Sequence, residues 1–117
     1  MNKTILVVDD EADVRGFLSD LLKDQGYQVR LAEDGVEAME AIQERLPDLI
    51  LLDLLMPKET GTNLYRKIHQ KAELKNIPVI VISGLPGRHL AVGKSVPVFD
   101  KPIDEKALLE EVKRAIG

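Results

Sequence analysis

The stretch Ile5-Leu6-Val7-Val8-Asp9-Asp10-Glu11 holds four apolar residues that run directly into three acids. A short run rich in Val, Ile and Leu is typical of a strand that is buried on both faces, as in a parallel sheet. Three further apolar runs follow along the chain, at residues 49–52, 79–82 and 96–99. A fifth run, residues 28–31, alternates polar and apolar side chains and predicts a half-exposed or edge strand.

Helical patterns separate these runs. Apolar residues recur at helical spacing within residues 14–22, 36–42, 64–68 and 108–116, and Gly26 is placed to end the first helix. Strands that alternate with helices imply right-handed crossovers, with helices on both faces of the sheet. Residues 84–95 have room for only about one or two helical turns. We therefore predict one α/β domain over residues 1–117.

The composition is that of an ordinary globular domain. The 117 residues carry 16 Lys and Arg against 20 Asp and Glu, a formal charge of −4, and 44% of them are hydrophobic. The lack of cysteine excludes a disulfide scaffold and a Cys nucleophile. The acidic balance argues against direct binding of nucleic acid or of a membrane surface. The N-terminus lacks the apolar core of a signal peptide, so we expect a cytoplasmic protein.

The residues that follow the buried runs carry the candidate chemistry. In open α/β sheets, ligands bind beyond the carboxyl ends of the strands. Asp9 and Asp10 follow the first run, Asp53 the second, Ser83 the third, and Lys101 lies just after the last. Each alone has a plain structural role as a helix cap, a turn residue or a solvated charge. Because the topology makes them neighbours, together they predict one functional site.

Electrostatics indicates what such a site binds. Two carboxylates about 5 Å apart repel by roughly 3 kcal/mol at an effective dielectric of 20, so three ionised acids need a cation. An all-oxygen cluster with room for water suits Mg²⁺. A carboxylate beside Mg²⁺ can act as a nucleophile toward a phosphoryl group and form an aspartyl phosphate. The ammonium of Lys101 and the hydroxyl of Ser83 would then stabilise the transferring oxygens.

Four motifs, in this order along the chain, resemble a response-regulator receiver domain of two-component signalling: Val-Val-Asp9-Asp10-Glu11, Asp53-Leu-Leu-Met56-Pro57, Val-Ile-Ser83 and Lys101-Pro102. The resemblance spans residues 5–116. It implies a doubly wound, flavodoxin-like (βα)5 fold with parallel strand order 2-1-3-4-5. It also implies that Asp53 accepts a phosphoryl group from a histidine kinase.

The resemblance assigns the metal ligands and the partners as well. Asp10, Asp53 and the backbone carbonyl of Leu55 would ligate Mg²⁺, and Asp9 would hold the ion through water. The protein would not be an enzyme but a phosphoacceptor that assists its own phosphoryl transfer and dephosphorylation. The expected partners are a histidine kinase or phosphotransfer protein and a downstream protein target, with the chain a monomer or a weak dimer.

Two features depart from the family pattern. By resemblance, Lys101 would contact the phosphate, and Ser83 would turn toward it and drive a switch coupled to an aromatic residue three positions before the lysine. Val98 occupies that position, and Phe99 is predicted to point to the opposite face of its strand as core filler. The segment from Ser83 to Lys101 is also several residues short for the family, which predicts a shortened fourth helix in residues 84–95.

Other functions remain open. A receiver-fold module that binds its partner regardless of phosphorylation is favoured by Val98 and the short segment. A metal-dependent phosphatase of the haloacid dehalogenase type is less favoured, because that type carries a second Asp two residues after its nucleophile, where this chain has Glu11 or Leu55. The length leaves no room for an output domain, so we expect either a stand-alone regulator or the receiver part of a longer protein.

Overall fold

Strands and helices alternate along the residues that the computed structural model describes, which are 3–53, 61–83, 97–100 and 103–117. The strands are β1 Thr4–Val8, β2 Gln28–Ala32, β3 Leu49–Asp53, β4 Val79–Ser83 and β5 Val98–Asp100. The helices are α1 Ala12–Asp24, α2 Gly35–Glu44, α3 Gly61–Gln70 and α4 Glu105–Ile116. Each strand covers or overlaps one predicted run, and each helix contains one predicted apolar repeat.

The five strands form one sheet in the order β2-β1-β3-β4-β5, with every neighbouring pair parallel. The predicted fold class and strand order are confirmed. β2 lies at an edge of the sheet, as predicted. Its Leu31 is nevertheless 47% exposed, whereas the alternating pattern would bury this apolar residue. β5 starts at Val98, two residues after the start of the apolar run at 96–99. Pro97, just before β5, has no N–H to donate, but its carbonyl accepts a hydrogen bond from the N–H of Val81 at 2.8 Å.

Two separate hydrophobic cores cover the two faces of the sheet. Alternate residues of β1, β3 and β4 face α2 and α3, whose buried contributors are Ala38, Ile42, Leu64 and Ile68. The other residues of these strands face α1 and α4, whose buried contributors are Leu18, Leu22, Leu108 and Val112. Helices on both faces explain why the strand sequences are continuously apolar.

Local signals fix the ends of the helices. Gly26 follows α1 with φ +94°, a left-handed conformation that glycine adopts without a Cβ penalty, so the predicted stop is confirmed. The side chain of Asp34 caps α2 by accepting a hydrogen bond from the Glu37 N–H at 2.9 Å. Asp104 caps α4 in the same way through the Ala107 N–H at 3.1 Å. These caps place the strand-to-helix turns at the carboxyl edge of the sheet.

Phe17 lies in the apolar repeat of residues 14–22, which predicts that it packs into the core with the other members of the repeat. It is 41% exposed, so this prediction is wrong. Its position lies at the flank of the stripe, where helical spacing alone does not decide burial.

The shortened helix expected in residues 84–95 lies outside the described residues. Among the described helices, none is long and apolar enough to cross a bilayer.

Candidate functional site

Asp9 is held rigidly at the carboxyl end of β1. Its side chain is only 2% exposed, and its backbone N–H donates to the carbonyl of Ala32 at 3.1 Å, which continues the pairing with β2. Its Oδ1 accepts the Glu11 N–H at 2.9 Å, and its carbonyl accepts from Nη1 of Arg15 at 2.7 Å. The turn that leads from β1 into α1 is therefore organised around this aspartate.

Asp53 ends β3, the strand beside β1 in the centre of the sheet. Val8 of β1 lies opposite Leu52 of β3, so the next residues, Asp9 and Asp53, emerge at the same level of neighbouring strands. The side chain of Asp53 is 5% exposed, and its backbone is opposite Ile82 of β4. The sequence placed Asp53 just after this strand; the structure includes it as the last strand residue.

Four carboxylates converge at this edge of the sheet. Asp9, Asp10, Glu11 and Asp53 each offer one oxygen, and these oxygens all lie within 4.8 Å of one another. Asp9 and Asp53 are buried, whereas Asp10 and Glu11 are exposed. The convergence of the three aspartates, predicted from strand ends alone, is confirmed.

Glu11 is a member of this cluster that the sequence analysis missed. The sequence places Glu11 in the family motif after Asp10 and counts it against a phosphatase, but it does not predict Glu11 as a member of the metal cluster. Glu11 does stand at the N-cap position, but its side chain makes no cap hydrogen bond. The sequence does contain a signal for its membership, because Glu11 directly follows Asp9 and Asp10 at the carboxyl end of β1.

The donor set suits a hard divalent cation. Every candidate atom is an anionic oxygen, the ligand type that Mg²⁺ and Ca²⁺ prefer, and no sulfur or imidazole is among them. Four negative charges this close repel one another strongly unless a cation lies among them. The exposed side of the cluster leaves room for water, which suits an ion that keeps part of its hydration.

Several predicted site residues cannot be placed beside the cluster. Leu55 and Lys101 lie outside the described residues. The backbone of Ser83 ends β4, opposite Asp100 of β5, so it belongs to the same carboxyl edge of the sheet; its side chain lies outside the description. Phe99 packs against the core on the α1 and α4 face, which confirms its predicted role as core filler.

An aromatic pair lies on α3. Nδ1 of His69 is 3.1 Å from the carbonyl oxygen of Tyr65, and the two rings are in contact, with centroids 4.0 Å apart and planes tilted by 33°. Burial raises the pKa of the Tyr65 phenol above its ordinary value, because the phenolate is poorly solvated there. His69 is exposed, while His89 lies outside the described residues.

The protein is thus an α/β domain with a doubly wound parallel sheet, and its carboxylate cluster lies at the carboxyl edge, where sheets of this class bind their ligands. The family model for the response regulator receiver domain matches residues 5–113, and the chain belongs to this family. It is a receiver domain of two-component response regulators, which interact with histidine kinases and with downstream targets.

Similar proteins agree with this assignment. Protein Rrf1 of Nitratidesulfovibrio vulgaris is 34% identical over 117 residues, which cover 100% of this chain and 85% of that protein. Response regulator PleD of Caulobacter vibrioides is 40% identical over 119 residues, 97% of this chain but 26% of that protein. The structure of the chemotaxis protein CheY4 of Vibrio cholerae has a TM-score of 0.87 at 29% identity, covering 98% of this chain and 99% of that one.

Proposed function

We propose that the whole of residues 1–117 acts as a phosphoacceptor signalling domain, in which Asp53 receives a phosphoryl group from a histidine kinase or a phosphotransfer protein. The observation that carries the proposal is the buried carboxylate of Asp53 within a four-carboxylate cluster, in a chain of the receiver family. A cytoplasmic location and a downstream protein target are parts of the same proposal.

A magnesium ion fits the donor set described above. Asp10, Asp53 and the backbone carbonyl of Leu55 would hold it, with Asp9 contributing through water. When bound, the ion supplies positive charge that offsets the carboxylates and the oxygens of the transferring group. Asp9 is well fixed for this task, because its backbone and side chain are both anchored by hydrogen bonds to the strand and the turn.

Residues of this chain would carry out the transfer of the phosphoryl group. An oxygen of the Asp53 carboxylate forms the new bond to phosphorus as the bond from phosphorus to the donor's histidine nitrogen breaks, and that nitrogen keeps the electron pair. Lys101 would balance the charge of the phosphoryl oxygens, and Ser83 would donate a hydrogen bond to one of them. The domain then assists its own phosphorylation and dephosphorylation without being an enzyme that acts on other molecules.

Phosphorylation would change the charge at the carboxyl edge of the sheet and so shift the population of two surface conformations. The test is to incubate the protein with Mg²⁺ and acetyl phosphate and to weigh the intact chain. We expect a gain of one phosphoryl group, no gain with Asp53→Asn, and a normal gain with Asp34→Asn, a buried aspartate outside the cluster. A gain that persists in Asp53→Asn would contradict the proposal.

A second candidate function is a protein-binding module that does not depend on phosphorylation. The position of Phe99 favours it, because this ring packs into the core and Val98 holds the place of the usual switch aromatic. This candidate predicts the same partner affinity with and without the phosphoryl group. A shift of tenfold or more, about 1.4 kcal/mol, would exclude it.

A further inference from the structure

The fourth carboxylate of the cluster, Glu11, has no place in the ligand set that the family resemblance implies. Its carboxylate offers an oxygen within 4.8 Å of the oxygens of Asp9, Asp10 and Asp53. The metal site itself rests on membership of the receiver family as well as on the acidic side chains. The role of Glu11 therefore concerns a metal site that family membership also supports. An inference about this role rests on the proposed function.

Hydrogen bonds fix the backbone of Glu11 beside the cluster. Its N–H donates to Oδ1 of Asp9 at 2.9 Å, and its carbonyl accepts the first helical hydrogen bond of α1, from the Arg15 N–H at 3.0 Å. Both ends of this residue are therefore fixed, one to the strand end and one to the helix. The side chain leaves from a backbone of φ −89° and ψ 116° and makes no cap hydrogen bond to α1.

We propose that Glu11 tunes the metal site: it strengthens binding of the divalent cation and, by the same charge, opposes entry of an anionic phosphoryl donor. Mg²⁺ usually takes one or two carboxylates and keeps several waters, so four carboxylates exceed what its inner sphere holds. The exposed Glu11 acts through a metal-bound water or through its charge. The formal sum of four carboxylates and one divalent ion is −2, and removing Glu11 makes it −1.

The two effects have opposite signs, which separates this role from general stabilisation. Loss of the Glu11 charge weakens cation binding, because the attraction between this carboxylate and a cation a few ångström away is lost. The same loss speeds phosphorylation once the cation is saturating, because an anionic donor meets less negative charge. A residue that only stabilised the fold would not change both quantities in opposite directions.

The matched control is Asp13, an acid in the first turn of α1 that is exposed and does not belong to the cluster. Glu11→Gln and Asp13→Asn each remove one negative charge near the start of the same helix. Any effect through the helix dipole or the overall charge is therefore shared by the two variants. Only an effect at the cluster distinguishes them.

The experiment measures Mn²⁺ binding to the full chain by electron paramagnetic resonance, which counts the free ion directly, and Mg²⁺ binding by competition. At physiological ionic strength, we expect Glu11→Gln to weaken both by roughly fivefold, and Asp13→Asn by less than about twofold. At saturating Mg²⁺, acetyl phosphate should phosphorylate Glu11→Gln faster than the wild type. Thermal unfolding of each variant verifies that it is folded.

Equal dissociation constants for Glu11→Gln and Asp13→Asn would overturn the inference while leaving the proposed function intact. Phosphorylation of Glu11→Gln that is no faster than that of the wild type at saturating Mg²⁺ would overturn it as well. A wild-type chain that neither binds Mg²⁺ nor becomes phosphorylated would instead overturn the proposed function, and this inference with it. The two failures are therefore distinguished by the wild-type measurements alone.

Discussion

The substitution Asp53→Asn is expected to stabilise the metal-free protein. Each pair of carboxylate oxygens in the cluster lies within 4.8 Å. At this distance two unit charges repel by about 0.9 kcal/mol in bulk water and by about 3.5 kcal/mol at an effective dielectric of 20. Because Asp10 and Glu11 are exposed and well screened, their repulsion of Asp53 is near the lower value. We expect a net gain of about 1–3 kcal/mol in the free energy of unfolding.

The assay is guanidinium denaturation of the wild type and the variant, once with EDTA and once with Mg²⁺. With EDTA the variant should be the more stable protein. Added Mg²⁺ should stabilise the wild type more than the variant, because an ion that binds the folded state raises its stability by mass action. Asp34→Asn serves as the control, since Asn caps helices as well as Asp does and Asp34 lies outside the cluster. An Asp53→Asn variant that is no more stable than the wild type with EDTA would refute this reasoning.

Three further predictions concern the fold. Leu52→Ala, at a fully buried position of β3, should lower the free energy of unfolding by about 2–5 kcal/mol in denaturant titration, and a loss under 1 kcal/mol would contradict the packing described. Gly26→Ala, at φ +94°, should cost about 1 kcal/mol by the same method, whereas an unchanged midpoint would show that the left-handed turn is not needed. The absorbance titration of the wild type minus that of Tyr65→Phe should give a midpoint above 10, not at or below it. Because the folded state keeps this proton longer, the stability that Tyr65 contributes is complete below pH 10 and falls as pH rises through the folded pKa.

The sheet was predictable because its strands are buried on both faces. Such strands must be continuously apolar, and the run from Ile5 to Val8 and its counterparts at residues 49–52 and 79–82 satisfy that demand without ambiguity. Strand ends were less certain. The apolar pattern ends at Leu52, but β3 continues to Asp53, because the backbone of Asp53 still pairs with Ile82 of β4.

The convergence of Asp9, Asp10 and Asp53 was predictable from topology alone. Parallel strands bring their carboxyl ends to one edge, so residues 44 positions apart in sequence become neighbours without any local signal. The membership of Glu11 was not predicted: its position directly after Asp10 is a signal, but the direction of its side chain depends on backbone angles that the sequence pattern does not reveal. The exposure of Phe17 was not predicted for a similar reason. Helical spacing indicates which face of α1 turns toward the sheet, but not how wide a part of that face the sheet covers.

The most direct test of the account is to locate the phosphoryl group on the chain. After treatment with acetyl phosphate and Mg²⁺, borohydride reduction converts an aspartyl phosphate to homoserine, which peptide mass spectrometry assigns to one residue. We predict homoserine at position 53 and unmodified aspartate at positions 9 and 10. Homoserine at either of those two positions, or an absence of homoserine after treatment, would contradict the claim that the buried carboxylate of Asp53 is the phosphoacceptor.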